Sequence, residues 1–254
     1  MALKETKSSI QVIERMMSLL DALARHTVPV NLKQLATETS LHPSTAHRIL
    51  GVMVVSHLVD RIEPGTYRLG LRLVELGNLV KSRISVRLEA LPYMQTLHQE
   101  LGETVNLSVR HDDEVVYIER TAPPSSMMRV VQIIGARAPL HITAVGKIFL
   151  AQEGAGSCLE YAKRTGLPRY TENTLTDPDN LVKEIERVRA QGFAFDNEEA
   201  EKGVSCIGAG IYNDEGRVVA GLSVSAPSDR LKKDWAQSIR QTAEKISRAI
   251  GYRA

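Results

Sequence analysis

The first 70 residues impose the strongest constraint on the fold, because they combine three short helical patterns with two strand-like runs. Residues 10–25 and 32–40 space their apolar side chains at helical intervals, and a third segment of this kind follows directly. Pro43 suits the first turn of that third helix, where a missing N–H leaves no hydrogen bond unmade. Two strands are predicted around Pro64-Gly65, a pair typical of the centre of a type II turn. Three small helices followed by a hairpin predict a winged helix-turn-helix over residues 1–70.

The same region is short of acidic side chains. No Asp or Glu lies between Glu38 and Asp60, although 24% of the residues in the chain are charged. Residues 1–84 carry 11 Lys and Arg against 7 Asp and Glu, whereas the remaining residues carry 21 against 23. Because residues 1–84 are positively charged and the rest of the chain is nearly neutral, this charge distribution favours a polyanionic partner for the N-terminal part alone.

The third helix is the candidate for reading DNA. In a helix-turn-helix, the first residues of the second motif helix meet base edges in the major groove. Ser44, His47 and Arg48 follow i, i+3, i+4 spacing, so they share one face. We therefore predict contacts to double-stranded DNA from eight residues of this helix and the wing: Pro43, Ser44, Thr45, His47, Arg48, Arg61, Tyr67 and Arg68. The ordinary alternative is that Ser44 only caps the helix and His47 is a plain surface histidine.

The rest of the chain predicts a linker and a second domain. Apolar residues nearly surround the helix predicted over 71–84, which then needs partners on more than one side, as in a dimer contact or a spacer. Strand and helix patterns alternate from residue 86 onward. We predict an α+β multidomain protein with a linker helix at 71–85 and a second domain at 86–254. Strands are predicted over 103–121, 128–134 and 192–227, and helices at 86–101, 144–153, 155–164, 178–191 and 231–250. We expect this domain to place its helices on one face of a mostly antiparallel sheet, a GAF- or PAS-like α/β arrangement.

Composition narrows the classes of protein. Cys158 and Cys206 are the only cysteines, so we expect a reducing, cytoplasmic location and no disulfide framework. The N-terminus lacks the apolar core of a signal peptide, and no run of 18 apolar residues predicts a membrane span. No H-E-x-x-H or C-x-x-C motif is present, and we predict neither a metal nor a cofactor.

Three stretches together resemble a known family. They are LKQLATETSLHPSTAHRIL with HLVDRIEPGTYRLG, then GARAPLHITAVGKIFLA at 135–151, and GFAFDNEEAEKGVSCIGAGI at 192–211. In this order and at these separations, the whole chain resembles the IclR family of bacterial transcriptional regulators. The resemblance implies a nucleoid-associated homodimer or homotetramer that binds an operator and changes state with a small metabolite. We expect repression of a catabolic pathway, although the sequence itself leaves activation open.

The resemblance also implies an effector site. The helix that begins at 143–146 would present free backbone N–H groups, which favour an anion. By resemblance, this anion is a small carboxylate held by the amides of Ala144 and Val145. The same resemblance adds further lining residues: Asp196, Cys206, Ser223 and Ser225, with Met127, Met128, Val130 and Ala138 as a lid. Because Val145 supplies an apolar wall, we favour an aromatic or partly apolar acid over a two-carbon acid. Each polar residue also has a structural alternative, since Asp196 could cap a turn and Cys206 could be an inert buried thiol.

Two other classes of protein are the alternatives. A small hydrolase or transferase would use Cys206, His141 and Asp196 as nucleophile, base and orienting acid. We predict that the protein is not an enzyme, because neither a G-x-S-x-G elbow nor a P-loop is present. A ligand-free architectural DNA-binding dimer is the other alternative, which the large C-terminal part disfavours.

Overall fold

A computed structural model of the 254-residue chain describes residues 2–62, 65–81, 85–121 and 134–253. Side chains are described from residue 11 onward and, in the linker helix, up to residue 79. The chain divides into two compact units, residues 1–84 and 85–254, so the linker helix groups with the first unit. The lid residues Met127, Met128 and Val130, and the strand predicted over 128–134 except for its last residue, lie outside the described residues.

The first unit is a winged helix-turn-helix, as predicted. Its elements are α1 Ala2–Ala24, β1 Val30–Asn31, α2 Leu32–Glu38, α3 Pro43–Val55, β2 Val59–Ile62, β3 Thr66–Leu69 and α4 Arg72–Lys81. Leu19 of α1, Leu35 of α2 and Leu50 of α3 are fully buried and form its core, because helical spacing gives each helix one apolar face.

The wing differs from the predicted hairpin in two ways. It has three strands in the order β1-β3-β2, because Val30 pairs with Tyr67 and adds β1 to the far edge of β3. The turn also has a different register. The N–H of Gly65 donates to the carbonyl of Ile62 at 2.9 Å, which places Gly65 at the fourth position of the turn instead of its centre. Gly65 has φ of 101°, a conformation that glycine adopts without steric cost.

The second unit contains a six-stranded sheet. Its elements are α5 Val86–Leu101, β4 Thr104–His111, β5 Glu114–Thr121, β6 Arg137–Pro139, a 3₁₀ turn Leu140–Ile142, α6 Ala144–Glu153, α7 Ala155–Thr165, α8 Pro178–Gln191, β7 Phe193–Asn197, β8 Val204–Tyr212, β9 Val218–Pro227 and α9 Trp235–Ala249. The strand order is β6-β5-β4-β9-β8-β7, and every neighbouring pair is antiparallel. The predicted antiparallel sheet is therefore confirmed.

Helices cover both faces of this sheet, so the prediction of helices on one face is wrong. Helices α5 and α9 pack on the face that presents Leu222 and Val224 of β9. Helix α6 lies against the opposite face, where a side-chain atom of Val145 would clash with any Cβ on Gly221. Successive residues of a strand point to opposite faces, and both faces of β8 and β9 are buried. The second face carries small residues, which let α6 approach the strands closely.

Within the described part of the chain, no helix has the length and apolar character that a membrane crossing requires. Over the same residues, no cluster of three or more His, Cys, Asp or Glu side chains is arranged to hold a metal ion.

Candidate functional site

Helix α3 begins at Pro43, and His42 is its N-cap. The His42 ring nitrogen Nδ1 accepts from the backbone N–H of Ser44 at 3.4 Å and lies 2.7 Å from the Ser44 hydroxyl oxygen. The alternative in which Ser44 caps the helix is therefore wrong. Ser44 lies in the first turn, and its hydroxyl is oriented by the capping histidine.

The predicted reading face of α3 is open to solvent. Ser44, His47 and Arg48 are exposed, and Thr45 is half-buried, while Ile49 lies in the core behind them. Arg48 makes no ion pair with any residue that the structure describes. An exposed guanidinium on a helix face free of carboxylates suits a guanine edge or a phosphate.

The wing supplies two exposed arginines but not the predicted tyrosine. Tyr67 is only 3% exposed and packs in the core of the first unit, so its assignment as a DNA contact is wrong. The neighbouring Arg61 and Arg68 are exposed, and Arg68 points away from the buried Tyr67 because side chains alternate along β3. Arg68 pairs with Asp60 at 3.3 Å, a surface ion pair that contributes little and that a phosphate can replace.

The N-terminus of α6 presents two free amides. Thr143 is the N-cap, and its hydroxyl oxygen accepts from the N–H of Gly146 at 3.0 Å. The N–H groups of Ala144 and Val145 precede the first intrahelical hydrogen bond and have no helical partner. Unpaired N–H groups and the helix dipole together favour an anion at this point.

These amides lie at a cavity of about 30 Å³. Its walls come from the start of α6, from strands β5, β6, β7, β8 and β9, and from the loop between β7 and β8: Tyr117, Ala138, Thr143, Ala144, Val145, Asp196, Ala200, Glu201, Val204, Cys206 and Ser223. Six of the predicted effector residues thus come together: Ala138, Ala144, Val145, Asp196, Cys206 and Ser223. Ser225 lies next to Cys206 on the same face of the sheet, where its hydroxyl oxygen is 3.1 Å from the Cys206 Sγ.

Asp196 both caps a turn and lines the cavity. Its Oδ1 accepts from the backbone N–H of Glu199 at 2.7 Å, and the residue is 3% exposed. Burial and the charge of Glu199 together raise the pKa of Asp196 to about 7, although the nearby Lys147 ammonium lowers it. Near neutral pH, this carboxyl can therefore hold a proton and donate a hydrogen bond.

Cys206 is half-buried at the cavity wall, and its surroundings disfavour the thiolate that a nucleophilic cysteine needs. Burial raises its pKa well above the usual range, and the charge of Asp196, its partner across β7 and β8, adds to this effect. His141 lies elsewhere, with Nδ1 2.8 Å from the Tyr161 hydroxyl and Nε2 3.0 Å from the Pro168 carbonyl. The nucleophile, base and orienting acid of the enzyme alternative are therefore not assembled.

Sequence reasoning missed a buried ion pair beneath the cavity. The Lys147 ammonium donates to Glu199 Oε1 at 2.6 Å and to the Phe195 carbonyl at 2.6 Å. Both partners are almost fully buried. Lys147 lies one turn after Ala144 on α6, so the pair ties the helix to the loop that follows β7, the strand of Asp196.

The wall residues Tyr117 and Glu201 were also missed. Alternation along β5 gives Tyr117 the same orientation as the buried Val115 and could have indicated it. Glu201 lies in the acidic run NEEAEKG, where no sequence pattern separates it from its neighbours.

Comparison with known proteins agrees with these features. Residues 12–62 match the IclR helix-turn-helix domain, and residues 79–251 match the domain described as "Bacterial transcriptional regulator IclR C-terminal". The repressor AllR of Salmonella typhi is 34% identical over 95% of this chain and 90% of its own.

Two solved structures are similar over nearly the whole chain. The repressor BlcR of Agrobacterium tumefaciens has a TM-score of 0.85 at 26% identity, covering 98% of this chain and 100% of its own. An IclR homologue of Microbacterium hydrocarbonoxydans, solved with 4-hydroxybenzoate, has a TM-score of 0.61 at 26% identity, covering 94% and 98%. The chain is a DNA-binding transcriptional regulator and not an enzyme, and it belongs to the IclR family of bacterial transcriptional regulators.

Proposed function

We propose that the protein is a repressor that binds a near-palindromic operator and loses affinity for it when a small carboxylate occupies the cavity. The observation that carries this proposal is the pair of free amides at Ala144 and Val145, which open into a cavity beside the Ser223 hydroxyl. AllR and BlcR are both named repressors, which favours repression over activation. Binding to DNA places the protein in the cytoplasm, on the nucleoid.

A carboxylate suits this site better than other anions. No Lys or Arg is among the described residues that line the cavity, and these residues offer neutral donors and a helix dipole. Such a site suits a single negative charge, and a phosphate dianion would lack a counter-ion. The homologue that holds 4-hydroxybenzoate supports an acid as the ligand class, including an aromatic one.

Assembly into a homodimer or homotetramer is part of the proposal. Helix α1 exposes Val12, Ile13 and Met17, and the linker region exposes Leu71 and Val74. Apolar groups clustered on two helices of one unit mark an interaction surface. A two-fold dimer presents two copies of α3, and therefore requires an operator with two related half-sites.

Helix α4 is the proposed coupling element. A ligand shifts an equilibrium only through different affinities for the two states. The exposed apolar side chains of α4, among them Leu76 at 40% exposure, would repack between two arrangements of the dimer.

One experiment tests the regulatory assignment directly. Purified protein is mixed with sheared DNA from its source organism, and the recovered fragments are sequenced. A few enriched sites that share a palindrome are expected, and their release by one member of an acid panel would identify the effector. Uniform recovery of all DNA fragments, declining as the salt concentration rises, would indicate binding to phosphates alone and contradict the proposal. Enriched sites that no acid releases would favour the ligand-free architectural alternative.

A further inference from the structure

The cavity contains a carboxylate that its surroundings do not satisfy. Glu201 lines the wall, and its Oε2 atom is buried without a hydrogen-bond partner among the described residues. A buried oxygen without a hydrogen bond lowers the free energy of unfolding. Such an atom is retained in a folded protein where a bound group supplies the missing hydrogen bond.

The loop that carries Glu201 holds this side chain in place. The Thr171 hydroxyl donates to the Glu198 carbonyl at 2.6 Å, and the Thr174 hydroxyl donates to the Glu199 carbonyl at 2.8 Å. The N–H of Gly203 donates to Glu198 Oε2 at 2.6 Å. The Glu201 carboxylate therefore belongs to a loop tied down on both sides of it.

The nearby cation is already engaged. Lys147 directs its ammonium to Glu199 and to the Phe195 carbonyl, both at 2.6 Å. Glu201 is absent from these contacts, and no other cation is among the described residues that line the cavity. A hydrogen-bond donor on the ligand can therefore be the partner of Glu201.

The two sides of the cavity thus require opposite chemistry. The amides of Ala144 and Val145 donate hydrogen bonds and suit an anion, whereas the Glu201 carboxylate only accepts and repels one. On the basis of the proposed effector site, we propose that the effector is a carboxylate that also carries a hydroxyl or ammonium group. This group donates a hydrogen bond to Glu201. Glu201 is then the residue that selects hydroxy or amino acids over the corresponding unsubstituted acids.

Matched acids test this selection in the full-length protein. Propanoate, 3-hydroxypropanoate and 3-aminopropanoate differ in one group, as do benzoate and 4-hydroxybenzoate. Dissociation constants are measured by calorimetry for the wild type, Glu201→Ala and Glu201→Gln. Lys202→Ala is the matched control, because Lys202 is the next residue and its side chain is 82% exposed.

The wild type and Lys202→Ala are expected to bind at least one donor-bearing acid on the order of 10²-fold more tightly than its unsubstituted analogue. A site that hydrogen-bonds one group of a ligand binds the analogue without that group more weakly by at least this factor. Glu201→Ala is expected to reduce that ratio to about threefold or less. Glu201→Gln keeps an acceptor but no charge, so it retains the preference for a hydroxy acid and loses that for an amino acid.

Thermal unfolding gives a second readout that does not depend on ligand. Glu201→Ala removes an unpaired buried oxygen, so its melting temperature should equal or exceed that of the wild type. Equal binding of donor-bearing and unsubstituted acids by the wild type would overturn the inference, as would an undiminished preference in Glu201→Ala. Binding of no acid by a folded, operator-binding protein would instead contradict the proposed carboxylate effector, and the inference with it.

Discussion

The substitution Gly221→Ala tests the packing that positions the effector site. A Cβ on Gly221 would lie 2.0 Å from Val145 Cγ1, 2.8 Å from Cγ2 and 2.9 Å from Cβ. Carbon atoms pack at about 3.5 Å or more, so the first turn of α6 has to move by roughly 1.5 Å.

The cost of this movement follows from overpacking of a tight core. Extra methylenes in packed cores cost about 1–3 kcal/mol, and three contacts below 3.0 Å place this variant near the upper end. For a domain of this size, that predicts a melting temperature lower by roughly 6–12 °C. The displaced amides should also bind carboxylates more weakly, while operator affinity is retained.

The double variant Gly221→Ala/Val145→Ala provides the control. Val145→Ala removes both γ-methyl groups and alone costs roughly 1.6 kcal/mol from lost burial. The pair should show a favourable coupling of about 1–3 kcal/mol in a double-mutant cycle of thermal unfolding. A Gly221→Ala protein that melts within about 1 °C of the wild type, or strictly additive effects, would refute the reasoning.

Four further outcomes are expected. Arg48→Ala should weaken operator binding by roughly 10- to 100-fold in gel-shift assays and leave the melting temperature unchanged, because the side chain is exposed; wild-type affinity would contradict its role. Tyr67→Ala should lower the free energy of unfolding of the first unit by about 3–5 kcal/mol, as for other large core side chains; a change below about 1 kcal/mol in urea unfolding would contradict its burial. The pKa of Asp196 rises from 3.8 to about 7 on folding, so the native state keeps a proton that the unfolded state loses, and stability falls as pH rises between these values. Asp196→Asn should flatten that slope in urea unfolding across this pH range, and an unchanged slope would exclude Asp196 as its source. Leu76→Lys should leave operator and acid binding intact but abolish release of DNA by the acid, and a normal response would exclude α4 as the coupling element.

Much of the local structure could be predicted because it depends on neighbouring residues. The bounds of α6 and α8 agree with the predicted segments 144–153 and 178–191, and Pro43 begins α3 as expected. Strand β1 was missed because two residues carry no periodicity. Alternation also could not decide which face of the four-residue β3 is buried, and this is why Tyr67 was misassigned.

The effector cavity depended on a different kind of information. Its predicted residues came from a resemblance, because they lie on α6, β7, β8 and β9 and meet only through strand pairing. The register that sets Asp196 opposite Cys206, and Cys206 opposite Ser225, places all three on one face of the sheet, where the first two line the cavity.

The sequence by itself determined the helices, the antiparallel strands and the acid-free reading face, because periodicity and charge are properties of adjacent residues. The tertiary structure alone decided that helices cover both faces of the sheet, that Lys147 pairs with Glu199 across 52 residues, and that one oxygen of Glu201 has no partner in the part of the chain that the structure describes. Such contacts depend on how closely α6 approaches the sheet, which small residues such as Gly221 permit and which no local pattern encodes.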